Sequence, residues 1–146
     1  MMSQANDTNR IRVLLVDDEA SLRGPLAKRL RKADGYHVDT AANAEEAVAL
    51  VEESQGQYDV VLVDDLLMPG PGREPERMGI SLMTELKADH PGIEFILFTG
   101  WGMDSGLEGL RAGAYRYLAK PLNPEELSVM IEHAAEHRRL KQAERE

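Results

Sequence analysis

A doubly wound α/β domain, with five parallel strands and helices on both faces of the sheet, is the fold class this sequence predicts. Three observations carry it. Short apolar, β-branched blocks alternate five times with segments of helical periodicity. The central blocks are apolar at consecutive positions rather than at every second one, as expected of strands covered on both faces. Four of the five blocks end in charged or hydroxyl residues, where such a sheet opens its ligand-binding edge.

The first strand is Ile11 to Val16, which stops at Asp17-Asp18-Glu19. Leu22, Leu26, Leu30 and Ala33 follow among Arg and Lys at spacings of four, four and three, marking one face of a helix whose start is blurred by Gly24-Pro25. Tyr36 to Ala41 gives a second, weaker strand. Asn43, with Glu46 three residues on, forms a capping pair for a helix through Val51. The third strand, Asp59 to Asp64, also ends in acid. Asp65 to Met78 contains Pro69, Gly70, Pro71, Gly72 and Pro75 and is expected to be a loop, long for a strand-to-helix connection. A helix from Gly79 to about Asp89 leads to a strand from Ile93 to Phe98 that ends at Thr99-Gly100. Met103, Leu107 and Leu110 mark a short helix closed by Gly113, and Tyr115 to Ala119 forms the fifth strand before Lys120-Pro121. Asn123-Pro124-Glu125-Glu126 then opens the last helix with a cap, a proline in the first turn and a capping-box glutamate. The organisation expected is a disordered segment 1–10, one domain over 11–135, and a charged helical extension or linker over 136–146.

Composition narrows the function. Lys plus Arg is 17 against 26 for Asp plus Glu, a formal charge of −9 that repels a phosphate backbone, so direct nucleic-acid binding by this segment is not expected. Without cysteine, thiol nucleophiles, disulfides and thiolate metal sites are excluded. No run of about 20 apolar residues exists and the N-terminus is polar, which predicts a cytoplasmic protein without a membrane span. No glycine-rich phosphate loop follows any strand, which disfavours nucleotide-binding α/β domains. His37, His90, His133 and His137 are scattered, and the methionines read as core and loop fillers.

The strand ends bring together Asp17, Asp18, Asp64, Asp65, Thr99 and Lys120. Taken singly, an Asp-Asp pair is an ordinary turn, Thr99 a turn hydroxyl and Lys120 a solvated charge. Their joint placement on successive strand ends points to shared chemistry. Crowded carboxylates are relieved by protonation or by a cation, and a set of hard oxygen ligands suits Mg²⁺. A carboxylate can attack phosphorus to give an aspartyl phosphate, with the metal and a lysine neutralising the phosphoryl oxygens. A Mg²⁺-dependent phosphohydrolase would need a second acid two residues after its nucleophile, where Leu66 or Leu67 stands instead.

The ordered set Leu15-Val16-Asp17-Asp18-Glu19, Tyr58 to Asp64 with Met68-Pro69, Phe98-Thr99-Gly100-Trp101-Gly102, and Ala112 to Pro121 resembles the response regulator receiver domains of two-component signalling, over about residues 11–135. The resemblance implies the flavodoxin-like receiver fold and a phosphorylation-dependent switch rather than a metabolic enzyme, although such domains catalyse their own phosphorylation and dephosphorylation. It implies Mg²⁺ held by Asp17, Asp18 and the phosphoacceptor, with Thr99 contacting the phosphoryl group and Lys120 pairing with it. Tyr117 falls at the family's switch aromatic, and the Lys120-Pro121 bond is expected to be cis. The implied partners are a sensor histidine kinase or phosphotransfer protein and a downstream effector or output domain. Phosphorylation-dependent dimerisation through the last helices is compatible with it. A receiver that docks partners without phosphorylation is the alternative.

Two departures from the family pattern stand out. Spacing from Tyr58-Asp59 makes Asp64 the acceptor, whereas spacing back from Met68-Pro69 makes it Asp65. Burial favours Asp64, because Asp65 as the strand-end acceptor would leave the Asp64 carboxylate inside the central strand. The extra residue makes the backbone carbonyl of Leu66, alternatively Leu67, the candidate metal ligand. Between Pro69 and Gly79 the family usually has only a few residues; here Arg73, Glu74, Glu76 and Arg77 form either a solvated flap or a partner-selective rim. Trp101, in a polar, glycine-rich stretch, is expected to be partly exposed.

Overall fold

The computed structural model describes residues 10–100 and 103–145; the N-terminal segment 1–9 and Trp101 lie outside the described residues. In chain order the strands are β1 (Arg12–Val16), β2 (His37–Ala41), β3 (Val60–Asp64), β4 (Leu66–Leu67), β5 (Glu76–Arg77), β6 (Glu94–Thr99) and β7 (Arg116–Ala119). Five of them form the main sheet in the order β2-β1-β3-β6-β7, and every neighbouring pair in it is parallel. The intervening helices are α1 (Ala20–Asp34), α2 (Ala44–Glu53), α3 (Gly79–Asp89), α4 (Met103–Arg111) and α5 (Pro124–Arg145).

The alternation of side chains along the strands divides the core in two. Val13 and Leu15, with Val60, Leu62, Ile96 and Phe98, face α1 and α5, where Leu26, Leu30, Leu127 and Ile131 meet them. Leu14 and Val16, with Val61, Val63, Phe95 and Leu97, face the opposite layer of Ala47, Val51, Leu82, Met83 and Leu86. An unbroken apolar run therefore serves both faces of a covered parallel sheet.

The starts of α2 and α5 follow the sequence signals. The Asn43 side chain caps α2 by accepting from the Glu46 N–H at 2.9 Å, and Glu46 Oε1 reaches back one residue beyond the cap to accept from the Ala42 N–H at 2.9 Å. Asn123 accepts from the N–H groups of Glu125 and Glu126 at the start of α5. Gly35, at φ 72°, ends α1 in the left-handed region that glycine tolerates. Pro25 lies inside α1 rather than at its start.

The segment 65–78 is not wholly loop. Strand β4 pairs antiparallel with β5, forming a small hairpin beside the main sheet. The prolines and glycines occupy its tip, while Leu67 is fully buried in the core and anchors its base. Its outgoing strand is also pinned to α2, because the carbonyls of Met68 and Pro69 accept from the N–H groups of Ala44 and Glu45 at 2.9 and 3.1 Å.

At the opposite end of the sheet, charges fasten the extension of α5. Buried Glu94 accepts from Lys141 Nζ at 2.9 Å and meets His137 Nδ1. Arg138, itself buried, reaches Asp59 Oδ1 at 3.2 Å and the Gly56 carbonyl at 3.4 Å. Nearer the start of α5, the Tyr36 hydroxyl donates to Glu132 at 2.7 Å. Tyr36→Phe should cost about 1 kcal/mol in urea denaturation, since it removes that bond and little volume.

Candidate functional site

The carboxyl ends of β1, β3, β6 and β7 converge as the parallel topology requires. Asp17 directly follows β1 and is fully buried. Its Oδ1 accepts from the Glu19 N–H at 2.8 Å, while Oδ2 is buried without a hydrogen-bond partner. Asp64 is the last residue of β3 and is also buried. Carboxylate oxygens of Asp17, Asp18 and Asp64 lie within 4.8 Å of one another. Lys120, just past β7, donates from Nζ to Asp64 Oδ2 at 2.6 Å and stands 3.6 Å from Asp17 Oδ2. The same ammonium lies 5.4 Å from the centre of the Phe98 ring.

Electrostatics follow from this crowding. Burial pushes the Asp17 carboxyl up to about 6; the Glu19 N–H opposes the rise and the charge of Asp64 adds to it. Burial likewise raises Asp64, against the hydrogen bond and charge of Lys120. Burial alone would lower Lys120, but the hydrogen bond and charge of Asp64, with Asp17 and Glu19, outweigh it and hold the ammonium above its ordinary range. Asp17, Glu19 and Asp64 therefore share Lys120, and the orphaned Asp17 Oδ2 belongs, with Asp18 and Asp64, to a set of hard oxygen donors that fits a small divalent cation.

Thr99 ends β6 and is buried. Its carbonyl accepts from the Lys120 N–H at 3.0 Å, which locks the ends of β6 and β7 together. Tyr117, half-buried on β7, lies against Gly106 of α4, where an added Cβ would collide with its ring. The Lys120-Pro121 bond is cis. A cavity of about 270 Å³ is lined by Asp64, Leu66, Gly100 and Lys120. Leu66 stands at this cavity, and its N–H donates to Asp64 Oδ1 at 3.1 Å, whereas the Leu67 side chain is in the core.

Asp65 is buried but separate from the other acids. Its carboxylate accepts from Arg77 Nε at 3.1 Å, and Arg77 also reaches Glu108 Oε1 at 3.4 Å. Both Asp64 and Asp65 are thus buried with a cation, which the local sequence does not signal for Asp65. The missing signal is Arg77, 12 residues away across the hairpin.

Known proteins agree with this geometry. The receiver domain family of response regulators matches residues 13–132, and the chain belongs to that family. It is 35% identical over 125 residues to the sensor kinase CckA of Brucella abortus, covering 85% of this chain and 12% of that protein. It is 34% identical over 131 residues to the transcriptional regulatory protein ZraR of Salmonella typhimurium, covering 89% of this chain and 27% of that one. The chain therefore spans about a quarter or less of these two relatives. Among solved structures, a response regulator receiver domain protein from Clostridium thermocellum superposes with a TM-score of 0.77 at 29% identity, over 89% of this chain and 98% of that one. Receiver domains are signalling switches rather than metabolic enzymes, and this chain has their sheet order and their acidic pocket. No helix among the described residues is long and apolar enough to cross a membrane.

Proposed function

We propose that this receiver accepts a phosphoryl group on Asp64 from a histidine kinase or phosphotransfer protein, and that the modified site changes the surface offered to an effector or output domain. One observation carries the reading: of the two candidate acceptors, Asp64 and not Asp65 joins Asp17 and Asp18 in a common carboxylate cluster among the described residues, while holding Lys120 at 2.6 Å. Asp65 would be the acceptor only if its bond to Arg77 were given up.

Asp17, Asp18 and Asp64 would hold Mg²⁺, with the Leu66 backbone carbonyl as a further ligand. Bound there, Mg²⁺ would neutralise charge on the acceptor and on the incoming phosphoryl group. An Asp64 carboxylate oxygen attacks the phosphorus of a phosphohistidine; the new P–O bond forms as the P–N bond breaks, and the electron pair leaves with the imidazole. The product carries about −1.5 to −2 charges where one stood. Lys120 follows this charge, Thr99 supplies a hydroxyl to a phosphoryl oxygen, and Tyr117 takes the space that Thr99 vacates. The readout is a population shift of α4, β7 and α5, and carrying it from nearly all off to nearly all on takes about 5 kcal/mol of bias.

Intact mass after incubation with Mg²⁺ and a small acyl phosphate tests the reading. Wild type and Asp65→Ala should each gain one phosphoryl group, and Asp64→Ala none. Loss confined to Asp65→Ala would move the acceptor by one residue. No gain in wild type that binds Mg²⁺ would favour a docking module that works without phosphorylation.

A further inference from the structure

The hairpin inserted between β3 and α3 carries one side chain that touches two elements of the switch. Asp65, the residue after the acceptor, has its backbone fixed on both sides. Its N–H donates to the Phe98 carbonyl at 3.0 Å and its carbonyl accepts from the Gly79 N–H at 3.0 Å. Its buried carboxylate meets Arg77 Nε at 3.1 Å. The β4–β5 register, with Leu66 opposite Arg77, holds that guanidinium beside the strand end. The other side of the guanidinium reaches Glu108 of α4 at 3.4 Å.

Among the described side chains of α4, residues 106–111, the apolar hold is thin. Leu107 and Leu110 are exposed, and the inward positions Gly106 and Gly109 lie against Tyr117 and Leu97 without side chains of their own. A helix held so weakly is sensitive to one additional tether.

We infer that Arg77 is a positioning residue that latches α4 to the acceptor end of β3, by pairing Asp65 and Glu108 with one guanidinium, and so biases the domain toward the arrangement described here. The inference rests on the reading of Asp64 as phosphoacceptor for its place in signalling, but the latch itself is a property of the unphosphorylated domain. An arginine is required because its fork presents donors in two directions, whereas a lysine ammonium on Asp65 cannot also span to Glu108.

Amide hydrogen exchange over residues 103–111 tests it, using the full chain with and without Mg²⁺ and acyl phosphate. In the unphosphorylated state, Arg77→Gln and Glu108→Gln should each speed exchange of α4 by roughly two- to five-fold, the effect of losing a partly exposed ion pair. Arg77→Lys should keep the thermal midpoint of wild type, because Asp65 retains a cation, yet exchange in α4 as fast as Arg77→Gln. On phosphorylation, wild-type α4 should approach the exchange rate of the variants, which should change little further. Unchanged α4 exchange in Arg77→Gln and Glu108→Gln, or full recovery of wild-type protection in Arg77→Lys, would overturn the latch. Absence of any phosphoryl gain in wild type would instead count against the acceptor reading and leave the comparison of unphosphorylated variants intact.

Discussion

Asp17→Asn should stabilise the metal-free domain at neutral pH by on the order of 3 kcal/mol while weakening Mg²⁺ binding about a hundredfold. The two effects have one cause. Asp17 is buried with an orphaned oxygen, and its carboxyl is pushed from 3.8 up to about 6. The folded chain therefore holds that proton more tightly than the unfolded chain does. Stability from this group is fully present below pH 3.8 and is lost as pH rises from there through about 6, at about 1.4 kcal/mol for each pH unit crossed. Asp64, raised in the same direction, contributes with the same sign. Asparagine keeps the oxygen that accepts the Glu19 N–H and removes the charge. Urea denaturation in EDTA should show wild type losing stability between about pH 4 and 6.5 and the variant losing much less. Adding Mg²⁺ should then stabilise wild type at about pH 7.5 and leave the variant almost unchanged. Equal pH slopes for the two proteins would show that Asp17 is not the strained group.

That contest between charge and burial also explains why so much of the site was legible in the sequence. A strand buried on both faces must be apolar throughout, so acids can stand only where it ends, and Asp17, Asp64 and Lys120 mark those ends without any knowledge of contacts. Parallel topology then brings the ends together. Burial of an unpaired carboxylate favours Asp64 over Asp65 in the sequence, but the structure buries both and gives each a cation. What separates them is direction: Asp64 lies with Asp17, Asp18 and Lys120, and Asp65 with the hairpin.

Other features had no periodic signal. Arg77 to Glu108, Arg138 to Asp59 and Lys141 to Glu94 are single pairs separated by 31, 79 and 47 residues, and a charged residue in a polar segment looks the same whether it is solvated or paired. The extension of α5 illustrates this. Its sequence after Glu136 reads as a solvated face, yet His137, Arg138 and Lys141 hold it to the lower edge of the sheet. The hairpin is similar, because proline and glycine mark its tip but nothing local reports that Leu67 is core.

Gly79→Ala should cost about 3 kcal/mol, at the upper end for overpacking, although it adds a single carbon to a helix and would ordinarily favour one. At this position the first turn of α3 rests directly on the backbone of Asp64 and Asp65. A Cβ would collide with the Asp64 carbonyl oxygen and lie 2.8 Å from Asp65 Cα and 3.0 Å from the Asp64 carbonyl carbon. Backbone on one side or the other must move. The end of β3 is held by its pairing with Phe98 on β6 and by the Asp65 N–H on the Phe98 carbonyl. The start of α3 is held by the Gly79 N–H on the Asp65 carbonyl and continues from a two-residue strand of the hairpin. The helix should therefore lift first, losing that bond and loosening Leu82 and Met83 in the core, while Asp64 keeps its place beside Lys120. Thermal unfolding should fall by roughly 10 °C for a domain of this size. Intact mass with Mg²⁺ and acyl phosphate should still show one phosphoryl group on the folded fraction. A stable variant that no longer accepts phosphoryl would mean that β3 yields instead of α3, and that the acceptor is set by the helix behind it.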